Sequence, residues 1–235
     1  MNPSLKAALR IPGLIGLLFV ASAAGATGSV APAMTTGTAT PADFPAAYYD
    51  QLAAQGISIL KVDTPHSLVT IEVHRAGLLS SLGHDHVVAS RDVAGYVSVS
   101  TGTADLYVPL DTLAVDDPGL RTAAGMNTQP SQQDIAGTRR NMLTGTLDAE
   151  HFPIALIHIA RKNDGRLEVA ITLHGITRSY AVAAQFETVA GGISVAGSMS
   201  FRQSDFGITP LSVLGGALKV QDRLSLRFRI LAQRN

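Results

Sequence analysis

Ser67-Leu68-Val69-Thr70-Ile71-Glu72-Val73-His74-Arg75 sets the period of this chain. Val69, Ile71 and Val73 fall on one side of an extended backbone, and Thr70, Glu72 and His74 on the other, because successive side chains of a strand point to opposite faces. The same period returns on either side of it. Upstream, Ile57 to Val62 reads as a strand closed by Asp63-Thr64-Pro65. Downstream come Val87 to Ala89, then Val93 to Ser100, where Val93, Val97 and Val99 alternate with Ala94, Tyr96 and Ser98, and then Ala104 to Leu110 with Leu106 and Val108. Further strands are Ile154 to Ala160, Leu167 to His174 after the hairpin signal Asn163-Asp164-Gly165, Tyr180 to Glu187, Ile193 to Arg202, and Leu224 to Leu231, whose apolar side is Leu224, Leu226, Phe228 and Ile230.

Two stretches break the period. Ser131 to Leu143 has the pattern of a helix, with Ile135, Met142 and Leu143 near one face and Arg139 and Arg140 near the end, where positive charge suits the helix dipole. Ala46 to Gln55 reads as a second, shorter helix stopped by Gly56. Asp111 to Met126 reads as irregular, with Asp116-Asp117-Pro118-Gly119 as turn chemistry. Roughly nine or ten short strands joined by hairpin-type turns favour an antiparallel barrel or sandwich over βαβ units. With no tryptophan and no cysteine pair, an immunoglobulin-type sandwich has no specific support. The expected architecture is all-β, a single-domain antiparallel barrel with one inserted helix.

At 235 residues, 46% hydrophobic and 15% charged, the chain is long enough for one sizeable core. Its formal net charge of zero offers no electrostatic footprint for nucleic acid. The absence of cysteine excludes a thiol nucleophile, a thiolate metal site and a lipidated N-terminal cysteine. Lys6 and Arg10, the apolar run from Ile11 to Val20 and Ala21-Ser22-Ala23-Ala24-Gly25-Ala26 have the order of a secretory signal, with cleavage after Ala23 or Ala26. The run is about half of the roughly 20 residues that a membrane span needs. The expected organisation is a signal at 1–26, a flexible low-complexity spacer at 27–45 and one folded domain at 46–235, periplasmic or secreted, with no transmembrane anchor left after cleavage.

Leu82-Gly83-His84-Asp85-His86 interrupts the β pattern and fits three readings: a turn, a metal clip or the mouth of a binding site. As a metal clip, His84 and His86 would be joined by His74, three imidazoles suited to zinc, copper or nickel. As a turn, Asp85 would accept a hydrogen bond from a nearby backbone N–H. Ser80 and Ser81 lie close in sequence, but a hydrolase needs serine, base and acid within mutual reach, and nothing in the spacing brings them together. In Ser204-Asp205-Phe206-Gly207 we read Asp205 as a local cap, Phe206 as a plug at one end of the core and Gly207 as the source of an unusual backbone angle.

Several motifs in series resemble the YceI family: Asp63-Thr64-Pro65-His66-Ser67, His151-Phe152-Pro153, Ile171-Thr172-Leu173-His174-Gly175-Ile176-Thr177-Arg178, Phe201-Arg202-Gln203-Ser204-Asp205-Phe206-Gly207-Ile208 and Gly216-Ala217-Leu218-Lys219-Val220-Gln221-Asp222. The resemblance spans roughly Ile57 to Leu231. It implies a lipocalin-like antiparallel β-barrel of about eight strands. It also implies a bacterial envelope protein that holds an isoprenoid or other long apolar chain, as carrier, store or sequestering protein, and not an enzyme. Such a protein requires no cofactor; an isoprenoid quinone or lipid is the ligand expected, and a homodimer is an accessible assembly. The low aromatic content, 5%, leaves room inside.

By parity, the residues nominated to face that chain are Val69, Ile71, Val73, Val97, Val99, Leu106 and Val108 from the first half. Leu156, Ile171, Leu173, Phe186, Phe201 and Phe206 are nominated from the second. The alternative function is an envelope metal-binding protein using His74, His84 and His86. In the carrier reading the helix and the His84 region meet the polar head of the ligand.

Overall fold

A computed structural model of the protein describes residues 40–234, so the expected signal and most of the expected spacer lie outside the described residues. The period-two segments of the first half become strands β1 (Leu60–Val62), β2 (Leu68–Val73), β4 (His86–Ser90), β5 (Ala94–Ser98) and β6 (Thr103–Pro109); two-residue strands β3 (Arg75–Ala76) and β7 (Ala114–Val115) are added, β7 within the stretch read as irregular. The second half supplies β8 (Ile154–Arg161), β9 (Leu167–Leu173), β10 (Ile176–Val182), β11 (Ala184–Val189), β12 (Gly192–Arg202), β13 (Ser212–Val213), β14 (Leu218–Val220) and β15 (Arg223–Gln233). The helices are α1 (Ala46–Ala54), α2 (Pro118–Ala123) and α3 (Gln132–Asn141).

Twelve strands form one antiparallel sheet, in which β10-β9-β8-β6-β5-β1-β15-β2-β4-β7 are successive neighbours and β12 joins β15 to β11. Twelve paired segments stand where about eight strands were expected. β1 continues into β2, β4 into β5, β6 into β7 and β10 into β11, so twelve segments with four such breaks are eight continuous runs. At the first break Pro65, which has no N–H for a ladder, sits in a 3-10 turn over Thr64–His66. The Ser67 hydroxyl holds that turn by donating to the Asp63 carbonyl at 2.9 Å. β15 pairs along its whole length with β12 and, on its other edge, first with β2 and then with β1. β13, β14 and β3 form a separate small sheet.

Register puts the apolar parities together. Phe228 lies opposite Val69 and Leu226 opposite Ile71, so the inward sides of β15 and β2 coincide. At the β9–β10 hairpin the two loop residues His174 and Gly175 have φ of 52° and 73°, the left-handed pair that a two-residue turn demands. A side chain at Gly175 would also run into the Phe152 ring, its Cβ meeting Cε1 at 2.8 Å.

The helices cover the sheet differently. α1 lies on the outer face, with Tyr49 and Leu52, one turn apart, buried. Just before it Phe44 is also buried, its ring 5.0 Å from Tyr107, so the end of the stretch read as spacer packs on the domain. α3 opens on a reciprocal cap: Asp134 N–H donates to the Ser131 hydroxyl at 3.2 Å, and the Ser131 N–H donates to the Asp134 carboxylate at 3.2 Å. Arg139 then ties the helix down by donating from Nε to the Leu113 carbonyl at 3.1 Å. The turn chemistry at Asp116-Asp117-Pro118 starts a helix instead of a loop: the Asp117 carboxylate accepts the Leu120 N–H at 3.0 Å, and Pro118 takes the first helical position, where no N–H is needed.

Candidate functional site

The inward faces do not meet. They enclose a cavity of about 390 Å³, within the range of small-molecule sites. Twelve of the thirteen nominated apolar residues line it: Val69, Ile71, Val73, Val97, Val99, Leu106, Val108, Ile171, Leu173, Phe186, Phe201 and Phe206. Leu156 does not. β8 is apolar on both sides in sequence, and its pairing with β6 and β9 sets Leu156 beside Tyr107 and Thr172 while Ala155, Ile157 and Ile159 turn inward. Parity alone could not choose between the two apolar sides of that strand.

Phe206, fully buried, closes one flank of the cavity from a 3-10 turn over Gln203–Phe206. The Asp205 carboxylate accepts the Arg202 N–H at 3.2 Å, and Gly207 follows with φ of 69°. This is the cap, plug and left-handed glycine read from the motif.

The histidine stretch is a turn at the cavity's rim and not a metal clip. Among the described residues no three histidine or carboxylate side chains are placed to hold an ion. His74 faces Asp85, Nδ1 to Oδ2 at 3.5 Å, and Glu72, Nε2 to Oε2 at 3.7 Å. His84 and His86 stand edge to face with ring centres 6.5 Å apart, and the buried Nδ1 of His84 has no protein partner among the described residues. His84 is in a loop and β4 begins only at His86, so the two rings do not share a strand face. Asp85 does accept a backbone N–H, that of Arg75 at 2.9 Å. Burial alone would push the Asp85 carboxyl up, but that N–H, His74 and Arg75 outweigh it and hold the group below its ordinary value.

His86 is the one of the three that reaches the cavity. It donates from Nδ1 to Asp116 Oδ2 at 2.6 Å. Asp116 is buried, with φ of 58°, and its Oδ1 accepts Arg121 Nη1 at 2.5 Å and the Val87 N–H at 3.0 Å. Arg121 is fully buried and donates as well to the Asp85 carbonyl, the Thr128 carbonyl and the Thr128 hydroxyl. Desolvation would raise the Asp116 carboxyl, but the hydrogen bonds from His86 and Val87, the charge that His86 carries when protonated and the bond from Arg121 together keep it below the usual carboxylate range. The sequence reading missed this network. Its parts are the turn residue Asp116, a single arginine in a six-residue helix and a strand-end histidine, 30 residues from its aspartate.

At the other end of the strands Arg161 and Phe186 line the cavity, the guanidinium 5.3 Å from the ring centre, which is cation–π distance. The Arg161 N–H donates to the carbonyl of Gly102 in the β5–β6 turn at 2.8 Å. The rest of the lining is mostly aliphatic or aromatic, with Ser90, Ser98, Thr103, Thr138, Asn141, Thr146 and Gln203 as its polar members.

Against known proteins, the YceI-like domain matches residues 60–232. The chain belongs to the YceI family. No curated protein matches it. Among solved structures, YceI-family architecture recurs in a polyisoprenoid binding domain from Saccharophagus degradans implicated in plant cell wall breakdown. That domain superposes with a TM-score of 0.55 at 10% identity, over 76% of this chain and 99% of that one. BcnA of Burkholderia cenocepacia gives 0.49 at 12% identity, over 73% of this chain and 99% of its own. At 10% identity the likeness to the Saccharophagus degradans domain is one of fold. No helix among the described residues of this YceI-family chain is long and apolar enough to cross a membrane.

Proposed function

We propose that this YceI-family chain is an exported carrier or sequestering protein that encloses a long isoprenoid or other lipid chain in its cavity. The observation that carries the reading is the cavity itself, an apolar void kept open by side chains from both halves of the sheet. An unfilled apolar void loses the packing contacts of its lining and is destabilising, by about 24 cal/mol for each Å³ in cores emptied by mutation. A ligand restores those contacts, and each buried methylene adds roughly 0.8 kcal/mol. The polyisoprenoid binding of the Saccharophagus degradans domain supports the class of ligand.

In this reading the eight runs close into a lipocalin-like barrel. β10 pairs with β9 and β11 with β12, while the chain runs from β10 into β11 through Ala183, which would join the two edges of the sheet covalently where no ladder does. Export follows from the segment at 1–26, and no catalytic residue is nominated.

The test is mass spectrometry of the protein purified from its native envelope, under native conditions and after organic extraction. A stoichiometric apolar adduct lost on extraction is the expected result, with a mature N-terminus following Ala23 or Ala26. Protein that carries no adduct and, once extracted, takes up no apolar chain overturns the reading.

A further inference from the structure

We propose that His86 Nε2 is the polar end of the cavity and that it accepts a hydrogen bond from the hydroxyl of a long-chain alcohol. The inference rests on the carrier reading and names the chemical class of its ligand.

Arg121 has five N–H donors, and all five are engaged within the protein: Nε on the Thr128 carbonyl, Nη1 on the Asp85 carbonyl and Asp116 Oδ1, Nη2 on the Thr128 carbonyl and hydroxyl. Asp116 is equally committed, Oδ1 to Arg121 and the Val87 N–H, Oδ2 to His86. The charges of Arg121 and Asp116 cancel. His86 Nε2 is therefore the open valence of this network among the described residues, and it belongs to a ring that lines the cavity.

The state of that atom follows from its partner. A carboxylate only accepts, so in the neutral ring the hydrogen sits on Nδ1 and Nε2 presents a lone pair. The ring cannot rotate to offer Nδ1 instead without stranding Asp116, which is held from three directions in a conformation uncommon for a residue with a side chain. A lone pair in an apolar cavity selects a donor. Alcohols and phenols have one; ethers, esters and hydrocarbons do not. Among the described residues lining this end no lysine or arginine meets an anionic head: Arg121 is fully buried and saturated, and such a head would face the Asp116 carboxylate behind the ring. The cavity's own cation, Arg161, lies at the opposite end.

The experiment uses the extracted mature protein and three probes of one chain length: octadecan-1-ol, its methyl ether and octadecanoate, each measured by competition against a fluorescent apolar dye. One neutral hydrogen bond of about 1.4 kcal/mol corresponds to a tenfold preference. The alcohol is expected to bind about tenfold more tightly than the ether, the preference disappearing in His86→Phe while the ether's own affinity is kept. Two-bond proton–nitrogen spectra of the imidazoles give a readout that needs no variant. The hydrogen of His86 is expected on Nδ1, and the Nε2 resonance moves when the alcohol, but not the ether, is added. Equal binding of alcohol and ether, a preference that survives in His86→Phe, a ring hydrogen on Nε2, or octadecanoate binding best through Arg161 each overturns the proposal while leaving the carrier reading intact. Failure of all three chains to bind overturns both.

Discussion

Two histidine–aspartate pairs occur on opposite faces of the same sheet, and they behave differently because of the third group each aspartate holds. On the cavity side, His86 donates to Asp116 at 2.6 Å, and Arg121 donates to the same carboxylate. On the outer side, His158 donates to Asp105 at 2.8 Å, and the Tyr49 hydroxyl donates to it at 2.7 Å. The inner pair is closed off, with a His86 side chain only 16% exposed and its two partners at zero; the outer histidine is 57% exposed. The outer pair is a fastening. It pins α1 to the sheet through a phenol whose ionisation is pushed far up, first by burial and then by the bond to Asp105. The inner pair is a setting for one ring: a buried arginine neutralises the aspartate, and the aspartate orients His86 toward the cavity. A phenol suffices where water reaches the histidine. A full charge is needed where it does not, because an ionised carboxylate inside an apolar wall has to be paired.

Arg121→Met leaves the buried Asp116 without its permanent counter-charge, and urea unfolding is expected to show a loss of about 3–5 kcal/mol. A loss no larger than that of Tyr49→Phe would make the two pairs equivalent. Ile71→Trp, which fills the cavity from β2, is expected to weaken uptake of an apolar dye at least tenfold by removing room for roughly two methylenes. Leu156→Ser, on the other side of its strand, is expected to leave uptake unchanged. Equal losses would place Leu156 in the site after all.

Acid separates the pairs further. The folded-state pKa of Asp116 is depressed, so its contribution to stability is present above the unfolded value near pH 4 and is lost as pH falls through the folded value. Unfolding free energy is expected to drop on acidification below about pH 4, and Asp116→Asn is expected to flatten that slope. A slope unchanged in the variant would remove Asp116 as its source. Tyr49→Phe removes one hydrogen bond and is expected to cost about 1–1.5 kcal/mol, with faster amide exchange in α1. The smallest effect is expected from His158→Ala, within about 0.5 kcal/mol, as for other exposed positions.

Much of this was legible in the chain. The alternation in Ser67 to Arg75 and in Leu224 to Leu231 placed Val69, Ile71, Val73, Leu226 and Phe228 on the inner face, since strand parity is a local property. The helix after Ser131 was legible from its cap and its charges, and the Phe206 plug from a motif of four residues. Leu156 was not, because β8 is apolar on both faces and only the partner of each face distinguishes them. Which of the three histidine readings applies was not legible, because adjacency in sequence is not adjacency in space: His74 turns to Glu72 and Asp85, His84 stays in the loop, and His86 alone of the three enters the cavity.

By itself, then, the sequence determined the all-β class, the strand faces, the apolar lining and the family, all of which depend on residues within a few positions of one another. Tertiary structure decided which apolar face of β8 looks inward, where the long strands kink, and that Arg121 and Asp116 would converge behind His86. Those outcomes depend on which segments are brought together from 30 or more residues apart, and the free energy of a buried charge is set by its partner and not by its neighbours in the chain.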